Sequence, residues 1–120
     1  MKLRDTLQEA SGNSSKKALD AIKKAYSNSA YYSVKPKKSK NGLDISITMR
    51  MDGELDTITF FVNENENSVE MYDPMGGAIQ DYMDTSGEIN IATFIKFMTS
   101  PSTIKWWSKD APEELGLEKL

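Results

Sequence analysis

Leu43-Asp44-Ile45-Ser46-Ile47-Thr48-Met49-Arg50-Met51-Asp52-Gly53-Glu54-Leu55-Asp56-Thr57-Ile58-Thr59-Phe60-Phe61-Val62 is the stretch that decides the fold. Its first half alternates apolar and polar residues, the period of a strand with one buried face. Asp52-Gly53 is the favoured two-residue hairpin turn, because both central positions need positive φ. A two-residue turn there sets Met51 opposite Glu54, Ile47 opposite Ile58, Ile45 opposite Phe60 and Leu43 opposite Val62. The last three pairs are apolar and share a face, so turn chemistry and hydrophobic pattern specify the same register. The pattern lapses near the turn, where Met49 faces Asp56. The other face carries Asp44, Ser46, Thr48, Thr57 and Thr59, and also Phe61, which suggests partial cover.

Outward from the hairpin, Asn63 to Ser68 reads as a polar loop, and Val69, Met71 and Asp73 as a third arm ended by Pro74 and Gly76-Gly77. Ala78 to Asp84 fits helix or strand equally. Ile91, Phe94, Ile95 and Met98 form a helical stripe with Asn90 as N-cap. Ser102 to Ser108 and a segment from Asp110 read as two further short helices, the second shortened by Gly116. Upstream, residues 1–10 read as a short helix that breaks at Ser11-Gly12-Asn13-Ser14, with residues 1–14 alternatively a flexible segment. A second helix over 15–27 carries Ala18, Leu19, Ile22, Ala25 and Tyr26 on one stripe, with Lys16, Lys17, Lys23 and Lys24 in water. Ala30 to Lys35 predicts a strand, followed by a basic loop from Lys35 to Lys40. The expected fold is a single α+β domain over 1–120. It has an N-terminal amphipathic helix, a three- to four-stranded antiparallel meander, and C-terminal helices packed on one sheet face.

Composition narrows the function. The chain has 120 residues, no His and no Cys. Disulfides, thiolate nucleophiles, zinc–thiolate sites and the commonest general base are therefore absent. No stretch approaches the ~20 apolar residues of a membrane span, and no signal-peptide pattern follows Met1, so a cytoplasmic location is expected. The net charge of −3 hides a division. Residues 1–50 hold 11 Lys/Arg against 4 Asp/Glu, a net +7, and residues 51–120 hold 4 against 14, a net −10.

Asp84-Thr85-Ser86-Gly87-Glu88-Ile89-Asn90-Ile91-Ala92-Thr93-Phe94-Ile95-Lys96-Phe97-Met98 resembles the second half of an EF-hand calcium loop and its exiting helix. Gly87 falls at the sixth position, Ile89 at the eighth and Phe94 at the thirteenth. The first position is Tyr82 and the twelfth Thr93, where that family places its Asp and bidentate Glu. The segment therefore reads as a turn feeding a capped helix, with no metal and no cofactor expected. Gly76-Gly77 lacks the Gly-Lys-Ser/Thr of a phosphate loop. No catalytic residue is assigned, and a non-enzymatic chain is expected.

Two groups of residues suit binding. Lys35, Lys37, Lys38 and Lys40 neutralise charge near Tyr31, whose ring suits stacking. Trp106 and Trp107 are adjacent, so on a regular helix one indole points inward and the other lies near the surface, where Trp favours interface hot spots. The reading is a protein–protein interaction module of the compact, motif-free kind frequent among phage-encoded accessory or inhibitor proteins. Its partner is a protein or a second copy, drawn by the divided charge. The alternative is nucleic-acid binding through loop 35–40.

Overall fold

The computed structural model describes residues 3–73 and 88–120, residues 3–13 by their backbone alone. The central hairpin forms in the expected register. Strand β2 (Gly42–Met51) pairs with β3 (Glu54–Asn63), with Leu43 opposite Val62, Ile45 opposite Phe60 and Ile47 opposite Ile58. Asp52 and Gly53 both take positive φ, at 52° and 79°. Ile45, Ile47, Met49, Ile58 and Phe60 are wholly buried, so Met49 belongs to the core even though it faces Asp56.

Strand β1 (Ser33–Ser39) corrects two expectations, since the strand runs from 33 to 39 and the lysine-rich loop is its second half. The turn is only Lys40–Asn41, because Ser39 pairs with Gly42. An edge strand tolerates Pro36, whose missing N–H costs no ladder bond on the open side, and edge lysines discourage further pairing. Strand β4 (Ser68–Tyr72) continues the meander, and β5 (Glu88–Ile89) pairs with it. A two-residue β6 (Leu117–Glu118) pairs with β2 at Met51 and Arg50, beyond the start of β1. The antiparallel order β1-β2-β3-β4-β5 with β6 beside β2 makes six strands, where three or four were expected. Two-residue strands lack the length to show a period, so only the fold reveals them.

Helix α1 runs unbroken from Leu3 to Ala25. The expected break at Ser11-Gly12-Asn13-Ser14 does not occur. Gly, Asn and Ser each cost a helix about 1 kcal/mol or less, and no proline interrupts the ladder. Ala18, Ile22, Ala25 and Tyr26 are buried as expected, joined by Ala21 and Ser15, while Lys16, Lys17, Lys23 and Lys24 are exposed. Helix α2 (Ile91–Met98) is capped by Asn90, whose Oδ1 accepts from the Thr93 N–H at 2.8 Å, and it buries Ile91, Phe94 and Met98. Helix α3 (Pro101–Lys105), a π-helical turn at Trp106–Asp110 and helix α4 (Ala111–Glu114) then run on without a gap, where two separate helices were expected. Pro101 starts α3 behind its N-cap Ser100. The assignments of Ala78 to Asp84, of Gly76-Gly77 and of the first four residues of the EF-hand-like stretch lie outside the described residues.

All described helices pack on one face of the sheet, around a core that joins Ile22, Phe60, Phe94, Met98 and Trp107. Among the described residues no helix is long and apolar enough to cross a membrane.

Two glycines test the register. A Cβ on Gly42 would lie 2.1 Å from the Val62 carbonyl oxygen, whereas one on Gly53 meets nothing within 4 Å. Gly53→Ala carries only the positive-φ penalty, about 1 kcal/mol. Gly42→Ala forces the backbone of β3 away and is expected to cost about 1–3 kcal/mol. Urea denaturation of both variants checks the order.

Candidate functional site

The described helices leave the other sheet face without a covering layer. Pairing places its side chains in rows that run across the strands. One row is Lys35, Ser46, Thr59, Tyr72. The next is Lys37, Asp44, Phe61, Glu70, Glu88. A third joins Glu118, Arg50 and Leu55. Leu55 and Tyr72 are each 59 % exposed and Phe61 is 39 % exposed. The expected cover over Phe61 is therefore not provided by any described helix. In the centre, hydroxyls pair along the sheet, Ser46 with Thr59 at 3.4 Å and Thr48 with Thr57 at 3.1 Å. The face thus has paired hydroxyls at its centre, three exposed apolar side chains and charges of both signs.

Strand alternation separates the four lysines chosen from sequence. Lys35 and Lys37 lie on the open face, since they pair with Ser46 and Asp44. Lys38 pairs with Leu43 and takes the helix-side face. Lys38 and Lys40 line a cleft of about 520 Å³ with Lys16, beside Leu19, Leu43 and Glu64. The cleft is braced by its own polar contacts. The Ser15 hydroxyl donates to the Glu64 carboxylate, the Glu64 N–H donates to the Asn41 carbonyl at 2.7 Å, and the Asn65 amide donates to Asn41 Oδ1 at 2.7 Å. Tyr31 is half-buried against the core in the turn before β1.

Both tryptophans are buried, Trp106 at 8 % and Trp107 at 0 % exposure, so neither offers its ring as a contact surface. Both lie in the π-helical turn, closed by the Ala111 N–H to the Trp106 carbonyl. They meet edge to face with centroids 4.5 Å apart. Trp106 Nε1 donates to Glu114 at 2.8 Å. Trp107 packs on Tyr26 at 4.4 Å, and the Tyr32 hydroxyl donates to the Trp107 carbonyl at 2.6 Å.

Sequence reasoning missed Leu55, Tyr72, Glu70 and Arg50 as surface residues of one site. Phe61 on the polar side of the hairpin was the available signal. Tyr72 joins it only once the register of β4 is known. Among the described residues, no group of three or more Asp and Glu could hold a metal ion. No protein-family model, curated protein or solved structure matches the chain.

The aromatic cluster carries its own pH dependence. Burial, then Tyr32 and Asp73 nearby, push the Tyr26 hydroxyl well above its ordinary value of about 10. Burial, then Tyr31, raise Tyr32 likewise. Both hydroxyls stay protonated in the fold while the unfolded chain ionises. Their contribution to stability is thus complete below about pH 10 and is lost as pH climbs toward the raised folded values. Among the described residues the Tyr26 hydroxyl has no hydrogen-bond partner. Tyr26→Phe is expected to leave stability at pH 7 unchanged or to raise it by up to about 1–3 kcal/mol, and to blunt the alkaline loss. Trp107→Ala is expected to cost about 3–5 kcal/mol. Thermal denaturation from pH 7 to about pH 11 measures all three.

Proposed function

We propose that the chain is a non-enzymatic protein-interaction module that engages a protein surface through the open sheet face. The observation that supports this most is the exposure of Phe61 and Tyr72 in adjacent rows of that face, with Leu55 exposed further along β3 toward the hairpin turn. Exposed apolar side chains gathered on one surface and rimmed by charge mark an interaction site. Aromatic anchors inside a polar rim are the usual source of binding energy between proteins.

Charge favours a protein over a nucleic acid. The face presents Lys35, Lys37 and Arg50 together with Asp44, Glu70, Glu88 and Glu118. A phosphate backbone laid over Phe61 and Tyr72 would meet three of those carboxylates. A protein surface pairs both signs. The remaining lysines of the basic segment, Lys38 and Lys40, are turned toward the α1 cleft and add nothing to the face. An accessory or inhibitory role on a protein target agrees with such a surface. The target supplies the activity, and this chain supplies affinity.

Tagged wild-type chain and a Phe61→Ser/Tyr72→Ser variant are used as baits in extract of the source cells, with and without nuclease. Both side chains are exposed, so the variant is expected to lose about 1 kcal/mol or less of stability. The expected outcome is nuclease-resistant recovery of a protein, whether another chain or an untagged copy of this one, by wild type and not by the variant. Equal recovery by both baits, or recovery abolished by nuclease, overturns the proposal.

A further inference from the structure

The open face is arranged to be complementary to itself. Its four long strands run in the order β1-β2-β3-β4. A two-fold axis parallel to the strands, between β2 and β3, exchanges β1 with β4 and β2 with β3. It leaves height along the strands unchanged, so each row of side chains lies over its own reverse. The row Lys37, Asp44, Phe61, Glu70 has a cation at one end and an anion at the other. Reversed on itself, it sets Lys37 over Glu70 of the partner subunit and Asp44 at the edge of the partner's Phe61, and both contacts repeat across the axis. The row Lys35, Ser46, Thr59, Tyr72 sets the Lys35 stem and ammonium over the ring of the partner's Tyr72. Arg50 falls over the partner's Leu55, covering an exposed apolar side chain with its own stem.

From this we infer that the protein bound on the open face is a second copy of this chain, docked face to face with two-fold symmetry. The inference rests on the reading of that face as a protein interface and names its occupant. An isologous contact needs one patch that fits itself, and the opposite charges of Lys37 on β1 and Glu70 on β4, in one row, supply it. The centre can be desolvated at small cost, because the Ser46–Thr59 and Thr48–Thr57 hydroxyl pairs are satisfied within each sheet. Two sheets pack face to face at about 10 Å separation, within reach of these side chains. Four strands at about 4.8 Å spacing and seven residues at about 3.3 Å give a footprint of roughly 400–500 Å² per copy. The total of roughly 800–1,000 Å² falls below the size of stable specific interfaces, so the dimer is weak, salt-sensitive and concentration-dependent.

The test is sedimentation equilibrium of the full chain from about 5 µM to about 1 mM, at about 0.05 M and about 0.5 M salt. A monomer–dimer equilibrium that weakens with salt is expected. Lys37→Glu and Glu70→Lys are each expected to weaken dimerisation at least about tenfold, with unchanged circular dichroism. An equimolar mixture of the two variants restores the dimer, since each contact between two charges across the axis then joins opposite signs. A general loss of stability in either variant does not produce that rescue. Monomer at every concentration, a dimer indifferent to both substitutions, or no rescue on mixing each overturns the inference. If the chain is monomeric while the Phe61→Ser/Tyr72→Ser bait loses capture of another protein, the second copy is wrong and the interface reading stands.

Discussion

The register of the β2–β3 hairpin is the constraint on which the rest depends. Side chains alternate across a sheet with a period of two, so a slip of one residue would carry Ile45, Ile47, Phe60 and Val62 to the open face. Three separate features prevent it. Asp52 and Gly53 take the positive φ that a two-residue turn demands. Three facing apolar pairs share the buried side. Gly42 lets the backbone of β3 approach so closely that even a methyl group would strike the Val62 carbonyl. With that register set, β1 and β4 inherit theirs from their neighbours, and the helices have a single apolar surface on which to pack.

The helical layer is held by aromatic side chains. Tyr26 from α1, Tyr32 from the turn before β1 and the two indoles of the π-helical turn form one cluster. The cluster ties the first helix to the last, and the Leu120 N–H donating to the Ala30 carbonyl closes the same end. Two adjacent tryptophans in the π-helical turn both reach this core. The described helices and their aromatics gather on one side of the sheet, and the opposite face carries the rows of charge and the exposed Phe61, Tyr72 and Leu55.

Much of this was legible in residue order. The hairpin, its register, the Asn90 cap, the stripe of Ile91, Phe94 and Met98, and the α+β class follow from local rules that act over a few residues. The errors have one origin. Lys35 to Lys40 looks like a loop because Pro and Lys disfavour central strands, and it is an edge strand because the edge tolerates both. Ser11 to Ser14 looks like a break because propensity is a weak prior that an intact ladder overrides. Trp106-Trp107 looks half-exposed because a regular helix separates neighbours by about 100°, and a π-helical turn does not keep that angle.

The candidate site was the least legible part, for a physical reason. Residue order alone determined that the chain has no His or Cys chemistry, that its charge is divided, and that one hairpin has a buried and an exposed side. It could not say which lysines share a surface. Alternation along β1 sends Lys35 and Lys37 to the open face and Lys38 toward α1, and Tyr72 reaches Phe61 only through the pairing of β3 with β4. A surface is a property of strands placed side by side. Only the tertiary structure could turn the division of charge along the chain into a gradient across one face.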